Sequence, residues 1–198
     1  KIMWNAAHFA DTLAISEDYG FKLPKARFNW ASFKAARDAY VERLNGIYLR
    51  NLDSSQVEIF HGWAAFESPH KIRVGDRLLS ADHILIATGG RPTIPDLPGS
   101  DVAITSDGFF ELTEQPKRPL IIGAGYIATE LAGVLHSLGS EVTMLLRKDI
   151  LLRGFDEALS ETVMGEMRSA GISILTGINM ESIERQDDGH LAVHYQDG

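Results

Sequence analysis

Residues 119–133, PLIIGAGYIATELAG, decide the fold. A short apolar strand, Leu120 to Ile122, runs into Gly123-x-Gly125-x-x-Ala128 and straight on into a helix. That strand–turn–helix setting is what a dinucleotide fingerprint requires. Gly123 permits the tight turn, Gly125 lets backbone approach a pyrophosphate, and Ala128 keeps the helix close to the strand. A pyrophosphate there meets unpaired N–H groups at the positive end of the helix dipole. Gly123, Ala124, Gly125, Tyr126, Ile127 and Ala128 are therefore candidate cofactor contacts.

Working outward, the helix from Tyr126 to about Leu138 stops at Gly139, a natural C-cap. The strand Glu141 to Leu146 then lies parallel to the first, in a right-handed βαβ unit. NAD-preferring enzymes place an acid at the end of this second strand to bind the ribose 2′-hydroxyl. Here Leu146 stands there, followed by Arg147, Lys148 and, further on, Arg153. A carboxylate would repel a 2′-phosphate, whereas guanidiniums hold one through charge-assisted hydrogen bonds. The competing reading is three solvated loop charges. The missing acid favours NADP(H).

The 198-residue length suits one large domain or two modest ones. With 44% hydrophobic and 23% charged residues the composition is that of a globular protein. No apolar run is long enough for a bilayer span, and no signal peptide is visible, so no membrane partner is expected. A formal charge of −8 argues against general nucleic-acid binding. The absence of cysteine excludes disulfide scaffolds and thiolate metal sites within this chain. Lys1 already reads as a helix in progress, and the end at Gly198 reads as a strand stopping at a turn. The chain is thus expected to be an internal piece of a longer protein.

Along the chain, the first helix (Lys1 to about Leu13) leads through a polar connection to a second helix. Asn29 caps that helix, and Phe33, Ala36, Tyr40, Leu44 and Ile47 form its expected buried stripe. Strands are expected at Val57–His61 and Ala64–Glu67, then a hairpin of Lys71–Val74 and Arg77–Leu79 turning at Gly75-Asp76. The apolar run 84–87 reads as a strand covered on both faces. Residues 92–99, with three of the seven prolines, read as a stiff crossover between domains. A helix over Asp156–Ser169, a strand Ser173–Leu175 and a hairpin turning at Asp188-Gly189 complete the chain. His190 and His194 share a face of that hairpin without a third ligand, so no metal site is expected.

The apolar strand with Ala87-Thr88-Gly89-Gly90, the proline-rich crossover, Ser106-Asp107-Gly108-Phe109-Phe110 and then Gly123 to Glu130 together resemble the flavin-dependent pyridine-nucleotide disulfide oxidoreductases. The resemblance covers essentially the whole chain and implies an α/β fold of two Rossmann-like domains. The first, residues 1–89, would be a partial FAD-binding domain. The second, 90–198, would be a nearly complete NADP-binding domain, truncated at its C-terminal end. The segment from Lys1 resembles that just after the family's redox-active cysteine pair, placing both cysteines upstream and the catalytic histidine and dimerisation domain downstream.

By position, the resemblance implies further roles. Tyr126 matches the tyrosine that covers the flavin and moves aside for nicotinamide, and Glu130 the acid that pairs with a flavin-contacting lysine. Ala87, Thr88 and Gly89 match a turn close to FAD, and Trp63 and Ala64 a stretch near its adenine. Arg147 and Arg153 match the 2′-phosphate clamp, with Lys148 beside them. Ile47, Tyr48 and Asn51 match positions that contact glutathione disulfide. The implied parent is an NADPH-dependent reductase of glutathione disulfide, a cytoplasmic homodimer with FAD and NADP(H) as cofactors. This cysteine-free chain is expected to be inactive alone. A non-catalytic NADP-binding fragment, or a reductase of trypanothione or lipoamide, are the alternatives; the missing acid at Leu146 opposes the lipoamide enzyme.

Overall fold

The structure is a computed structural model that describes residues 1–24 and 26–197. It is an α/β protein with two compact units, Lys1–Lys34 with Pro92–Gly198, and Ala35–Arg91.

The first unit is built on a parallel sheet of β4 (Leu120–Ile122), β5 (Thr143–Leu145) and β6 (Ser173–Leu175), in that order. Strands β1 (Ala64–Ser68), β2 (Lys71–Val74) and β3 (Arg77–Ser80) precede them in the chain. Helix α4 (Tyr126–Ser137) links β4 to β5, and α5 (Glu157–Ala170) links β5 to β6. Val142, Met144, Leu146 and Leu151, with Ala132 of α4, are almost wholly buried and form the centre of the core. Their apolar burial, worth about 1.5–3 kcal/mol for each large side chain, is the main support of this layer. Pairing runs past the assigned strand ends: Leu146 N–H donates to the Leu175 carbonyl at 2.8 Å, and Ile178 N–H to that of Leu146 at 3.0 Å.

Helix α1 (Ile2–Ala14) also belongs to this core, through buried Met3 and Ala7 and a 3.0 Å hydrogen bond from Ser137 Oγ to Asp11 Oδ2. Helix α1 thus packs within the compact unit that holds the parallel sheet. Trp30 and the short helix α3 (Ser106–Glu111) lock in the same way: Trp30 Nε1 donates to the Leu112 carbonyl at 2.8 Å and its ring meets Phe109 edge-on.

Helix ends follow the side-chain chemistry. Gly139 lies at φ +99° after α4, and its N–H closes on the His136 carbonyl. Asp156 accepts from the N–H groups of Ala158 and Leu159 at 3.0 and 3.4 Å and caps α5. Asp156→Ala is expected to lower stability by about 1 kcal/mol, read as an earlier urea midpoint with an unchanged slope. The unit ends in the antiparallel hairpin of β7 (Ile178–Arg185) and β8 (Leu191–Asp197), turning at Asp188-Gly189 as the sequence implies. His190 and His194 there face Asp188 (2.8 Å) and Glu184 (3.5 Å).

In the second unit lies most of helix α2 (Trp30–Ser54), begun by Asn29, whose Oδ1 accepts from Ser32 N–H. It also holds the meander β1 (Ala64–Ser68), β2 (Lys71–Val74) and β3 (Arg77–Ser80), with Gly75 at φ +58° in the two-residue turn. Arg73 hydrogen-bonds Glu67 across it and holds that carboxyl below its ordinary range. The contribution is present above the ordinary carboxylate pKa and fades as pH falls through the depressed one.

Three expectations are corrected in this unit. Residues 57–61 and 84–87 form no strand, and Leu85 and Ile86 are exposed rather than covered. An apolar run becomes a strand only when neighbours accept its backbone hydrogen bonds, and no described strand pairs with either segment. The stripe of α2 is at most half-buried, with Ala36 and Tyr40 exposed; Arg37 is the buried position of its middle turns.

Candidate functional site

The turn after β4 leaves a row of backbone donors open. Gly123 N–H is used by the Leu145 carbonyl at 3.1 Å. Those of Ala124, Gly125, Tyr126, Ile127 and Ala128 make no hydrogen bond among the described residues. Gly125 begins α4 without a side-chain cap, so the positive end of the helix stays uncompensated. Gly123 lies at φ +132°, a conformation that glycine adopts without strain. A side chain added at Gly125 would meet nothing within 4 Å: the space beside the turn is open.

Opposite the turn stands the loop from Arg147 to Phe155. Leu151 and Leu152 bury its middle, and Leu152 N–H donates to the Ala124 carbonyl at 2.7 Å. Leu152 holds φ +54°, a left-handed conformation that costs a branched side chain about 1–2 kcal/mol. That bond fastens the loop to the glycine turn and leaves Arg147, Lys148 and Arg153 exposed. None of the three forms an ion pair among the described residues.

Turn and loop border an open cavity of about 600 Å³ at the carboxyl ends of β4 and β5, where open α/β sheets bind ligands. Six of the residues singled out from sequence line it together: Gly123, Ala124, Gly125, Arg147, Lys148 and Arg153. The other walls were not foreseen. Thr93, Pro95 and Leu97 come from the crossover, Leu145 and Ile150 flank the cations, and Ile178, Asn179 and Met180 open β7. The crossover is thus part of a binding wall rather than a bare linker. Prolines within a stiff segment could have signalled this only if a partner surface had been visible.

Tyr126 and Glu130 lie four residues apart, exposed on one face of α4, and do not line this cavity; nor does Ile127, also exposed. Ala128 is half-buried, its Cβ 3.7 Å from where a side chain on Gly123 would stand. The remaining expected contacts lie in the second unit. Ile47 (half-buried), Tyr48 and Asn51 are on α2, Trp63 and Ala64 are exposed at the start of β1, and Ala87, Thr88 and Gly89 lie on the exposed segment after β3. A smaller cavity there, about 340 Å³ and lined by Phe60, His61 and Arg77 among others, involves none of them.

Residues 1–198 match the pyridine nucleotide-disulphide oxidoreductase family throughout. The chain belongs to that family. Along its whole length it is 45% identical to a glutathione reductase of Yarrowia lipolytica and 42% identical to one of Schizosaccharomyces pombe. It spans 45% of the length of each of these relatives. Its fold resembles that of the HOCl-induced flavoprotein disulfide reductase RclA from Escherichia coli, at a TM-score of 0.82 and 22% identity, over all of this chain and 43% of that one. Membership implies FAD and NADP(H) as cofactors, and the open backbone donors and exposed cations of the cavity suit the phosphates of the latter.

The fit has a separable consequence. Gly125→Ala places a methyl group in open space at an allowed φ of −80°, so stability is expected to stay within about 0.5 kcal/mol. The same methyl stands where a pyrophosphate must approach the backbone, so affinity for NADPH is expected to fall about tenfold or more. Chemical denaturation and calorimetric titration of one variant check both halves.

Proposed function

We propose that this chain is the nucleotide-binding portion of an NADPH-dependent flavoprotein disulfide reductase whose substrate is glutathione disulfide. The observation that carries the reading is the cavity that gathers a donor-rich glycine turn and three cations without an ion pair among the described residues, with no acid in its lining. The two glutathione reductases, at 45% and 42% identity, support the choice of disulfide. We propose residues 90–198 as a Rossmann-type NADP-binding domain and 1–89 as part of an FAD-binding domain.

When bound, NADP(H) and FAD supply hydride and electron relay. The residues of the chain hold and orient. The turn amides receive the pyrophosphate, and Arg147, Lys148 and Arg153 neutralise the 2′-phosphate. Tyr126 and Glu130, on one helix face, would shield and orient the flavin side. Ala87, Thr88, Gly89, Trp63 and Ala64 would contact FAD, and Ile47, Tyr48 and Asn51 the disulfide. The chain contains no cysteine, so disulfide exchange is proposed only of the longer protein. On the family resemblance alone, that protein is proposed as a cytoplasmic homodimer.

Steady-state assay of the longer protein tests the reading. Consumption of NADPH with glutathione disulfide, far faster than with lipoamide or trypanothione disulfide and far slower with NADH, is the expected result. Preference for NADH or for another disulfide overturns it. Calorimetry on the 198-residue chain separates a non-catalytic nucleotide-binding fragment, which would take NADPH without FAD.

A further inference from the structure

The part of the cavity wall supplied by β7 carries a polar group outside the phosphate-binding set. Asn179 is exposed in the second position of β7, between Ile178 and Met180. Its backbone pairs with Gln196 in the hairpin, and its side-chain amide makes no hydrogen bond among the described residues. Ile178 N–H donates to the Leu146 carbonyl at 3.0 Å, so Asn179 and Arg147 are the chain neighbours of one bonded pair. Amide and guanidinium are thereby set on adjoining parts of a single wall.

The chemistry of the ligand makes that adjacency informative. In NADP(H) the 2′-phosphate and the adenine leave neighbouring carbons of one ribose. A phosphate fixed on Arg147 and Arg153 therefore delivers the base within reach of the strand bonded beside them. The accessible surfaces remaining there, Met180, Pro95 and Leu97, are apolar and suit the faces of a flat ring. A planar base edge then needs one polar partner, and a carboxamide matches adenine by donating to N7 and accepting from the 6-amino group.

We propose that Asn179 reads the adenine edge of the bound nucleotide and makes this site selective for adenine over hypoxanthine. The inference rests on the reading of the cavity as an NADP(H) site, and the test keeps the two apart. Calorimetric titration of the 198-residue chain would use NADPH, NADH and deamino-NADPH, in which a carbonyl replaces the 6-amino group. The unaltered chain is expected to bind NADPH about tenfold more tightly than deamino-NADPH. Asn179→Ala is expected to bring that ratio close to one while leaving the NADPH-to-NADH ratio unchanged, which also shows that the variant is folded. Asn179→Asp, whose carboxylate cannot donate to N7, should weaken NADPH binding as well. An unchanged base preference in Asn179→Ala, with phosphate preference retained, overturns the role of Asn179 alone. No phosphate preference in the unaltered chain overturns the cavity reading, and this inference with it.

Discussion

Replacing Arg147 and Arg153 together by alanine is expected to weaken NADPH binding about a hundredfold and to leave NADH binding nearly unchanged. Both side chains are exposed, neither has a partner among the described residues, and both line the same cavity as the glycine turn. A hydrogen bond to a charged group contributes about 1.5–3 kcal/mol, and exposure to solvent argues for the lower end. Two such contacts give about 3 kcal/mol, or about two orders of magnitude in Kd. The paired lysine variant keeps the charge but loses the planar fork, so it should recover only part of the loss. Because the clamp is open to solvent, the preference for NADPH should shrink as ionic strength rises. Equal weakening toward both nucleotides would show that the cations act on something other than the 2′-phosphate.

The largest effect on stability is expected from Gly99→Ala. Gly99 lies at φ +76°, and a Cβ there would stand 1.7 Å from the carbonyl oxygen of Ile183. Beside it the Ile183 N–H donates to the Pro98 carbonyl at 2.9 Å, pinning the end of the crossover to β7. The left-handed backbone alone costs alanine about 1–2 kcal/mol. The overlap with main chain cannot be relieved by a rotamer change, so crossover and strand must part. A loss of about 3 kcal/mol or more is expected in urea denaturation. Gly20→Ala is the control: its φ is +84° but nothing lies within 4 Å, so only the backbone cost remains. Since both crossover and β7 line the cavity, Gly99→Ala should also weaken nucleotide binding in whatever fraction stays folded.

What could be read from the chain was what neighbouring residues dictate. The strand 120–122, the turn at Gly123 and Gly125, the helix closing at Gly139 and the hairpin at Gly75-Asp76 are set by local pattern, and all are present. The loop cations stand in the sequence just past the second strand of the βαβ unit, and all three line the cavity beside the glycine turn. What stayed hidden depends on distant partners. The run 84–87 has the composition of a covered strand, yet no described strand pairs with it. Nothing in the order Leu151-Leu152-Arg153 reveals that Leu152 adopts φ +54° and ties the cation loop to Ala124. The place of Pro95 and Asn179 in one cavity likewise follows from tertiary pairing, through the bonds that join 98 to 183 and 146 to 178.

The most direct measurement is a heteronuclear NMR titration of the isotope-labelled chain with NADPH. Saturable shifts of the backbone amides of Gly123, Ala124, Gly125 and Tyr126, together with the side-chain Nε–H signals of Arg147 and Arg153, are the predicted result. Shifts confined to the 59–77 hairpin region, or an unmoved glycine turn at saturating nucleotide, would contradict it.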